Sequence, residues 1–298
     1  MVKAKKLIIW LLIGCVLIGG LVLAKRYYWQ VTEREVPRLS SDDPQKIKEI
    51  VAAIKQDSAY SVVFIGDSAV YSSVSRQDQQ TIASYYATAL ARRHPFTNIA
   101  VYDLSLPGCS FPATYELSKY LLENGKPELV IADINPGWLG SSKMEHLVLR
   151  DLNSGRKTPG REVAQVPEFP PDLYRPWFEK NFAYLQGQPK LGTFAASKHN
   201  PQWMAYQQQA ALFSASDSRA LFFLPPRNRA LYEQYNLIDD SVYADKVKLI
   251  RTQLPSNIMF ADYTWQVDSS LFSDLTHMFP AGNQILANLL AGETARLN

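Results

Sequence analysis

The chain has 298 residues, 47% hydrophobic and 20% charged, a balance that supports a packed core and excludes a disordered polymer. A net charge of +3, with no basic stripe interleaved with aromatics, excludes nucleic acid as a partner. Two cysteines, Cys15 and Cys109, and four histidines in no ligand spacing exclude a disulfide framework and a structural zinc, and no motif asks for a cofactor.

Residues 1–26 read as an N-terminal transmembrane anchor. Leu7 to Ala24 carry no charge, and at 1.5 Å per residue they span roughly 27 Å, close to the hydrocarbon thickness of a bilayer. Lys25-Arg26-Tyr27-Tyr28-Trp29 follows, a basic and aromatic set suited to the interface. A cleaved signal peptide is the competing reading, but the run is long and no A-x-A-like site follows it. Leu12-Ile13-Gly14-Cys15 resembles a lipoprotein cleavage box, yet the chain stays apolar as far as Ala24. A single N-terminal anchor commonly leaves its short tail inside, so the large domain is expected to be extracytoplasmic, periplasmic or on the outer face.

Residues 27–43 are polar and mixed in charge and read as a juxtamembrane linker. The remaining chain, 44–298, is expected to form one domain. Asp43-Pro44 is a helix start signal, followed by Ile47, Ile50, Val51 and Ile54 at helical spacing. Val62-Val63-Phe64-Ile65 then runs into Gly66-Asp67-Ser68, an uninterrupted apolar strand ending in a turn. A helix is expected over 76–93, a strand over 98–104 ending in the loop Ser105–Ser110, and a helix over 113–123 closed by Asn124-Gly125. The third strand, 128–134, runs into Asn135-Pro136-Gly137-Trp138.

Alternation lapses over 139–215, which reads as an irregular and partly helical insertion, with Phe178, Phe182, Tyr184, Trp203, Tyr206 and Leu212 able to cover a site as a cap. It resumes with strands at 220–224 and 257–261, helices from Arg229 and Asp240, and a terminal helix through Leu290. Apolar, non-alternating strands separated by helices predict an α/β three-layer sandwich around a parallel five-stranded sheet.

Ligands of such sheets bind at the carboxyl ends of the strands. Ser68 follows the first strand, and Asp274-Leu275-Thr276-His277 follows the last. A serine hydroxyl needs a base to become a nucleophile, which His277 could supply, and Asp274 could orient that imidazole. Gly108 and Asn135 follow the strands between them, and a glycine N–H with an asparagine amide could serve as oxyanion donors. Taken alone, Gly-Asp-Ser is ordinary turn chemistry, with Ser68 capping the next helix, and Asp274 and His277 could cap the terminal helix. Cys109 reads as a small packed residue. Arg227 and Arg229 read as a solvated turn, the other use being a carboxylate or phosphate of a polymer.

The four blocks together resemble the SGNH, or GDSL, hydrolase superfamily: Gly66–Ser68, Gly108, Asn135, and Asp274-x-x-His277 with Gly282 beyond it. The resemblance covers about 60–290, apart from 139–215. It implies a flavodoxin-like fold, with Ser68 as nucleophile, His277 as base, Asp274 as its orienter, and Gly108, Asn135 and the Ser68 amide as the oxyanion hole. The third block departs from the family's Gly-x-Asn-Asp, reading Asp133-Ile134-Asn135-Pro136 here. The runs YDLSLPGCS and ELVIADINPGW are similar to the membrane-anchored D-alanyl-transfer branch (DltD) of teichoic acid synthesis, and to anchored proteins of polysaccharide O-acetylation.

The resemblance implies an extracytoplasmic serine esterase or acyltransferase acting on O-acyl groups, acetyl or D-alanyl, of an envelope polymer. Its partners would be that glycopolymer or an acyl donor, a membrane-bound O-acyltransferase, and the membrane itself through the N-terminal helix. A non-catalytic scaffold subunit and a lipid or small-ester esterase stand as the alternatives.

Overall fold

The computed structural model describes residues 14–21, 23–24, 34–95, 97–140, 152 and 190–295. Five parallel strands, β1 (Tyr60–Ile65), β2 (Ile99–Asp103), β3 (Leu129–Asp133), β4 (Arg219–Leu224) and β5 (Met259–Asp262), form one sheet in the order β2-β1-β3-β4-β5. This is the order of a doubly wound sheet whose winding reverses between β1 and β3, opening a crevice at their carboxyl ends. All five expected strands are present to within a residue or two.

Successive side chains of each strand serve opposite faces. Val63, Ile65, Val130, Ala132, Phe222 and Leu224 pack under α1 (Pro44–Gln56), α3 (Phe111–Asn124) and α5 (Pro201–Ser214). Val62, Phe64, Leu129, Ile131, Leu221 and Phe223 pack against α2 (Ile82–Arg93) and α8 (Pro280–Thr294). On the first of these faces, Ile250 of α7 (Asp240–Gln253) joins the core beside α5, and two shorter helices, α4 (Pro136–Leu139) and α6 (Arg229–Gln234), follow the ends of β3 and β4. The three-layer arrangement agrees with expectation.

Local starts follow the side chains. Asp43 accepts from the Gln45 N–H at 2.9 Å ahead of Pro44, the expected cap of α1. The helix expected over 76–93 is broken, because Thr81 caps α2 through the Ser84 N–H and leaves only a 3-10 turn at Asp78–Gln80 ahead of it. At the end of α3, Gly125 keeps a right-handed backbone, and Lys126 takes the positive φ of 53°. A side chain at Gly125 would meet Leu121 and Val51 Cγ1, the latter at 3.1 Å, so this glycine serves the close approach of α1 to α3.

Two boundaries differ from the sequence reading. The described part of the expected linker, residues 34–43, is packed against the domain: Val36 and Leu39 are buried, and the Arg34 and Val36 N–H groups bond Thr88 and Ser84 on α2. Its sparse apolar residues escape a periodicity test because a strap buries single side chains and not a face. Within the expected insertion, α5 is a sheet-covering helix and no cap, with Trp203, Tyr206 and Phe213 in the core beneath it. Its buried glutamines, Gln202 and Gln209, bond α3 and obscure its apolar stripe. The stretch with Phe178, Phe182 and Tyr184 lies outside the described residues.

The anchor expected over 1–26 also lies largely outside them. Residues 14–21 and 23–24 are helical, with Val16, Leu17, Ile18, Leu21 and Leu23 exposed. Among the described residues no helix is long and apolar enough to cross a membrane.

Candidate active site

The turn after β1 is built for close approach. A Cβ on Gly66 would lie 2.6 Å from Val70 Cγ2 and 2.7 Å from Asp133 Oδ1, so no other residue fits without displacement. Asp67 turns its Oδ1 back to the Ala69 N–H at 2.8 Å, and the Ser68 carbonyl accepts from the backbone and hydroxyl of Ser73 at 3.2 and 3.1 Å. Ser68 is thereby held half-exposed at the mouth of the crevice, in a turn and not at the cap of a helix. Arg38 braces this turn from outside: its Nη1 donates to the Ser72 carbonyl at 3.3 Å, its Nε to Asp78 at 2.7 Å, and its guanidinium lies over the Tyr71 ring. Ser72 itself has a φ of 57°, a left-handed conformation that a serine adopts under constraint.

The loop carrying Asp274 and His277 is closed on itself. Phe272 and Met278 form an antiparallel bridge, and the His277 carbonyl accepts from the Ser273 backbone and hydroxyl at 2.8 and 3.0 Å. Asp274 Oδ1 accepts from the Thr276 and His277 N–H groups, both at 2.7 Å. Asn228, at the start of α6, holds the loop from β4 by donating to the Asp274 and Leu275 carbonyls at 3.2 and 3.1 Å.

The two loops meet. Asp274 Oδ2 lies 2.6 Å from His277 Nδ1, and His277 Nε2 lies 2.8 Å from Ser68 Oγ. Burial works against the charge of Asp274, but the imidazole and two backbone N–H groups prevail and hold its carboxyl below the usual range. An ionised carboxylate only accepts, so Nδ1 carries the proton and Nε2 presents its lone pair to the serine hydroxyl. For His277, burial pulls the pKa down, Asp274 and then Asp67 push it up, and Arg227 opposes them, with a net rise above 6.5. The arrangement can take a proton from Ser68 Oγ as that oxygen attacks an acyl carbon.

Gly108 and Asn135 have different standing. Leu106 donates its N–H to the Gly66 carbonyl at 2.9 Å, which lays the loop after β2 against the turn that carries Ser68. Two residues on, Gly108 has a φ of 76°, a backbone state that favours glycine. Among the described residues, the N–H groups of Gly108 and Ser68 meet no acceptor, as oxyanion donors require. Asn135 is held on three sides. Its Oδ1 accepts from the Gly137 N–H at 2.9 Å and from Arg227 Nη2 at 2.5 Å, while its Nδ2 donates to Asp67 Oδ2.

Three residues of the site escaped the sequence reading. Trp138 Nε1 donates to Asp67 Oδ2 at 2.8 Å; the Asn135-Pro136 helix start was the available signal, since it puts Trp138 one short turn away. Asp133 is buried at the end of β3, where burial and the neighbouring Asp67 push its carboxyl well above the usual range. Arg227, expected in a solvated turn, is 1% exposed and bonded into the site. Its neighbour Arg229 is half-exposed and spent on Glu233 and Asp240. Cys109 is buried in the core as expected, and burial pushes its thiol up, away from nucleophilic use.

No family model matches the chain, and no curated relative does. Solved structures with a similar chain path include an α/β hydrolase enzyme from the metagenome of Lake Arreo (13% identity, TM-score 0.47, 82% of this chain and 99% of that one). A catalytic mutant of an acetylxylan esterase from Geobacillus stearothermophilus gives 15% identity and a TM-score of 0.46, over 80% of this chain and 95% of that one. A family two carbohydrate esterase from Clostridium thermocellum gives 12% and 0.40, over 80% and 64%. Likenesses this distant transfer no residue role and no substrate.

Proposed function

We propose that this protein is an anchored serine esterase or acyltransferase that moves O-acyl groups, acetyl or D-alanyl, on a cell-envelope polysaccharide or teichoic-acid-like polymer through an acyl-Ser68 intermediate. The observation that carries the proposal is the unbroken line from Asp274 through His277 to Ser68, with contacts of 2.6 and 2.8 Å, the second between side chains 209 residues apart in the chain. His277 takes the Ser68 proton as Oγ attacks the ester carbonyl, and returns it to the leaving hydroxyl. The second half repeats the cycle with water or a polymer hydroxyl as acceptor. The Ser68 and Gly108 amides, with the Asn135 side chain, receive the negative charge of the tetrahedral intermediate.

The domain works outside the cytoplasm, tethered by residues 1–26 beside a membrane-bound O-acyltransferase. The charge-free run from Leu7 to Ala24 and the exposed side chains of Val16, Leu17, Ile18, Leu21 and Leu23 support the tether. Labelling of the full chain with a serine-directed fluorophosphonate tests the chemistry, followed by ester release from acetylated against D-alanylated polymer. One adduct at Ser68, lost in Ser68→Ala, is the expected result. A folded protein that takes no adduct, or a fully active Ser68→Ala variant, refutes the enzyme and leaves a scaffold subunit.

A further inference from the structure

Arg227 is among the largest side chains buried without exposure in this protein, and it lies outside the three catalytic side chains. A buried guanidinium is expensive unless its hydrogen bonds are used, so its position calls for an explanation. Its backbone is fixed by a bond from its N–H to the Thr264 carbonyl at 2.8 Å, at the end of β5. The next residue, Asn228, secures the Asp274 loop. Arg227 therefore lies next to the residue that holds the acid–base loop, and its side chain reaches from the end of β4 to Asn135 Oδ1, beyond the end of the neighbouring β3, at 2.5 Å.

An asparagine amide has an oxygen and a nitrogen of similar size, and its neighbours decide which faces where. Here two donors, Arg227 Nη2 and the Gly137 N–H, claim the oxygen. The nitrogen is thereby turned toward Asp67, the residue next to Ser68, which accepts one of its two hydrogens. Among the described residues the second hydrogen has no acceptor, as a donor kept for a substrate oxygen must.

We propose that Arg227 is a positioning residue that orients the Asn135 amide toward the oxyanion formed at Ser68 and so raises the rate of acyl transfer without contacting substrate. The proposal rests on the serine mechanism above. A lysine would keep the charge but lacks the planar fork that fixes the amide plane. The charge of Arg227 also acts on His277 against those of Asp274, on the same loop, and Asp67, in the turn after β1, and of these three charges it is the one that favours the neutral imidazole.

The test compares Arg227→Met and Arg227→Lys with the wild-type full chain in hydrolysis of 4-nitrophenyl acetate, with Asn135→Ala as a second background. Both variants should lower kcat about 10- to 100-fold with KM changed less than about threefold, the signature of a lost transition-state contact. Arg227→Met should also move the acid limb of kcat/KM to higher pH, while Arg227→Lys leaves it in place. On the Asn135→Ala background neither should cost more than about twofold further, because Arg227 acts through that amide. Effects that multiply instead, or a kcat in either folded variant equal to wild type, overturn the proposal. Where Arg227→Met fails to fold, Arg227→Lys and its double variant decide alone. Failure of wild type to take the phosphonate at Ser68 would defeat the serine mechanism itself, whereas a labelled wild type with multiplicative effects defeats only the role of Arg227.

Discussion

Replacing Asp274 by Asn changes one atom of the site and reverses the direction of a proton. In the native loop, Asp274 Oδ1 accepts from the Thr276 and His277 N–H groups at 2.7 Å each, and Oδ2 faces His277 Nδ1 at 2.6 Å. An asparagine keeps both backbone bonds only if its oxygen takes the Oδ1 position, which leaves its NH2 against Nδ1. Nδ1 must then accept, and the ring proton moves to Nε2, where it points at Ser68 Oγ and blocks proton removal. Loss of the correct tautomer in a serine triad lowers kcat about 10³- to 10⁴-fold, equivalent to about 4–5.5 kcal/mol of transition-state stabilisation. The loop should survive, since its bridge between Phe272 and Met278 and its bonds to Asn228 do not involve the altered atom. The assay is kcat for 4-nitrophenyl acetate, with thermal melting to confirm the fold. The acid limb of any residual activity should fall to lower pH, because the carboxylate that raises the His277 pKa is gone. A folded variant within about tenfold of wild-type kcat would refute the assignment of Asp274.

In the wild type, kcat/KM should fall on the acid side with a pKa above 6.5, since His277 must be neutral to act as base and its pKa is raised. The stability contribution of the Asp274–His277 pair runs differently. It is full between the ordinary values of 3.8 and 6.5, fades as pH rises through the raised pKa of His277, and fades as pH falls through the lowered pKa of Asp274. Melting curves of wild type against Ala variants of the pair, taken across pH, should show the stability gap narrowing above the raised pKa of His277, the same pH range in which kcat/KM reaches its plateau. Gly66→Ala should destabilise by about 1–3 kcal/mol in chemical denaturation, because its Cβ overlaps Val70 and Asp133; an unchanged midpoint would contradict the packing. Arg38→Ala should cost about 1–3 kcal/mol and lower kcat by loosening the turn at Tyr71 and Ser72, whereas a neutral effect on both would show that the strap does not brace Ser68.

The sequence by itself determined the strands, the order of the main helices and the positions of Ser68, Asp274 and His277, because each depends on local facts. Val62–Ile65 is apolar on both faces, Asp43-Pro44 is a cap followed by a helical first residue, and Asp274 and His277 are close enough in the chain to share one loop. Only the tertiary structure decided what crosses the sheet. It brought His277 to Ser68, turned the expected linker into a strap holding the turn after Ser68, and made α5 a wall of the core. It also buried Arg227 and tied Asn135 between that arginine and Asp67. The reason is common to all of these: a charged or polar residue carries no periodic signal, and its partner is chosen by which strand ends the winding of the sheet sets side by side. Two turns that read as ordinary polar loops became one hydrogen-bonded line of side chains because the end of β1 and the loop before the last helix meet at the same edge.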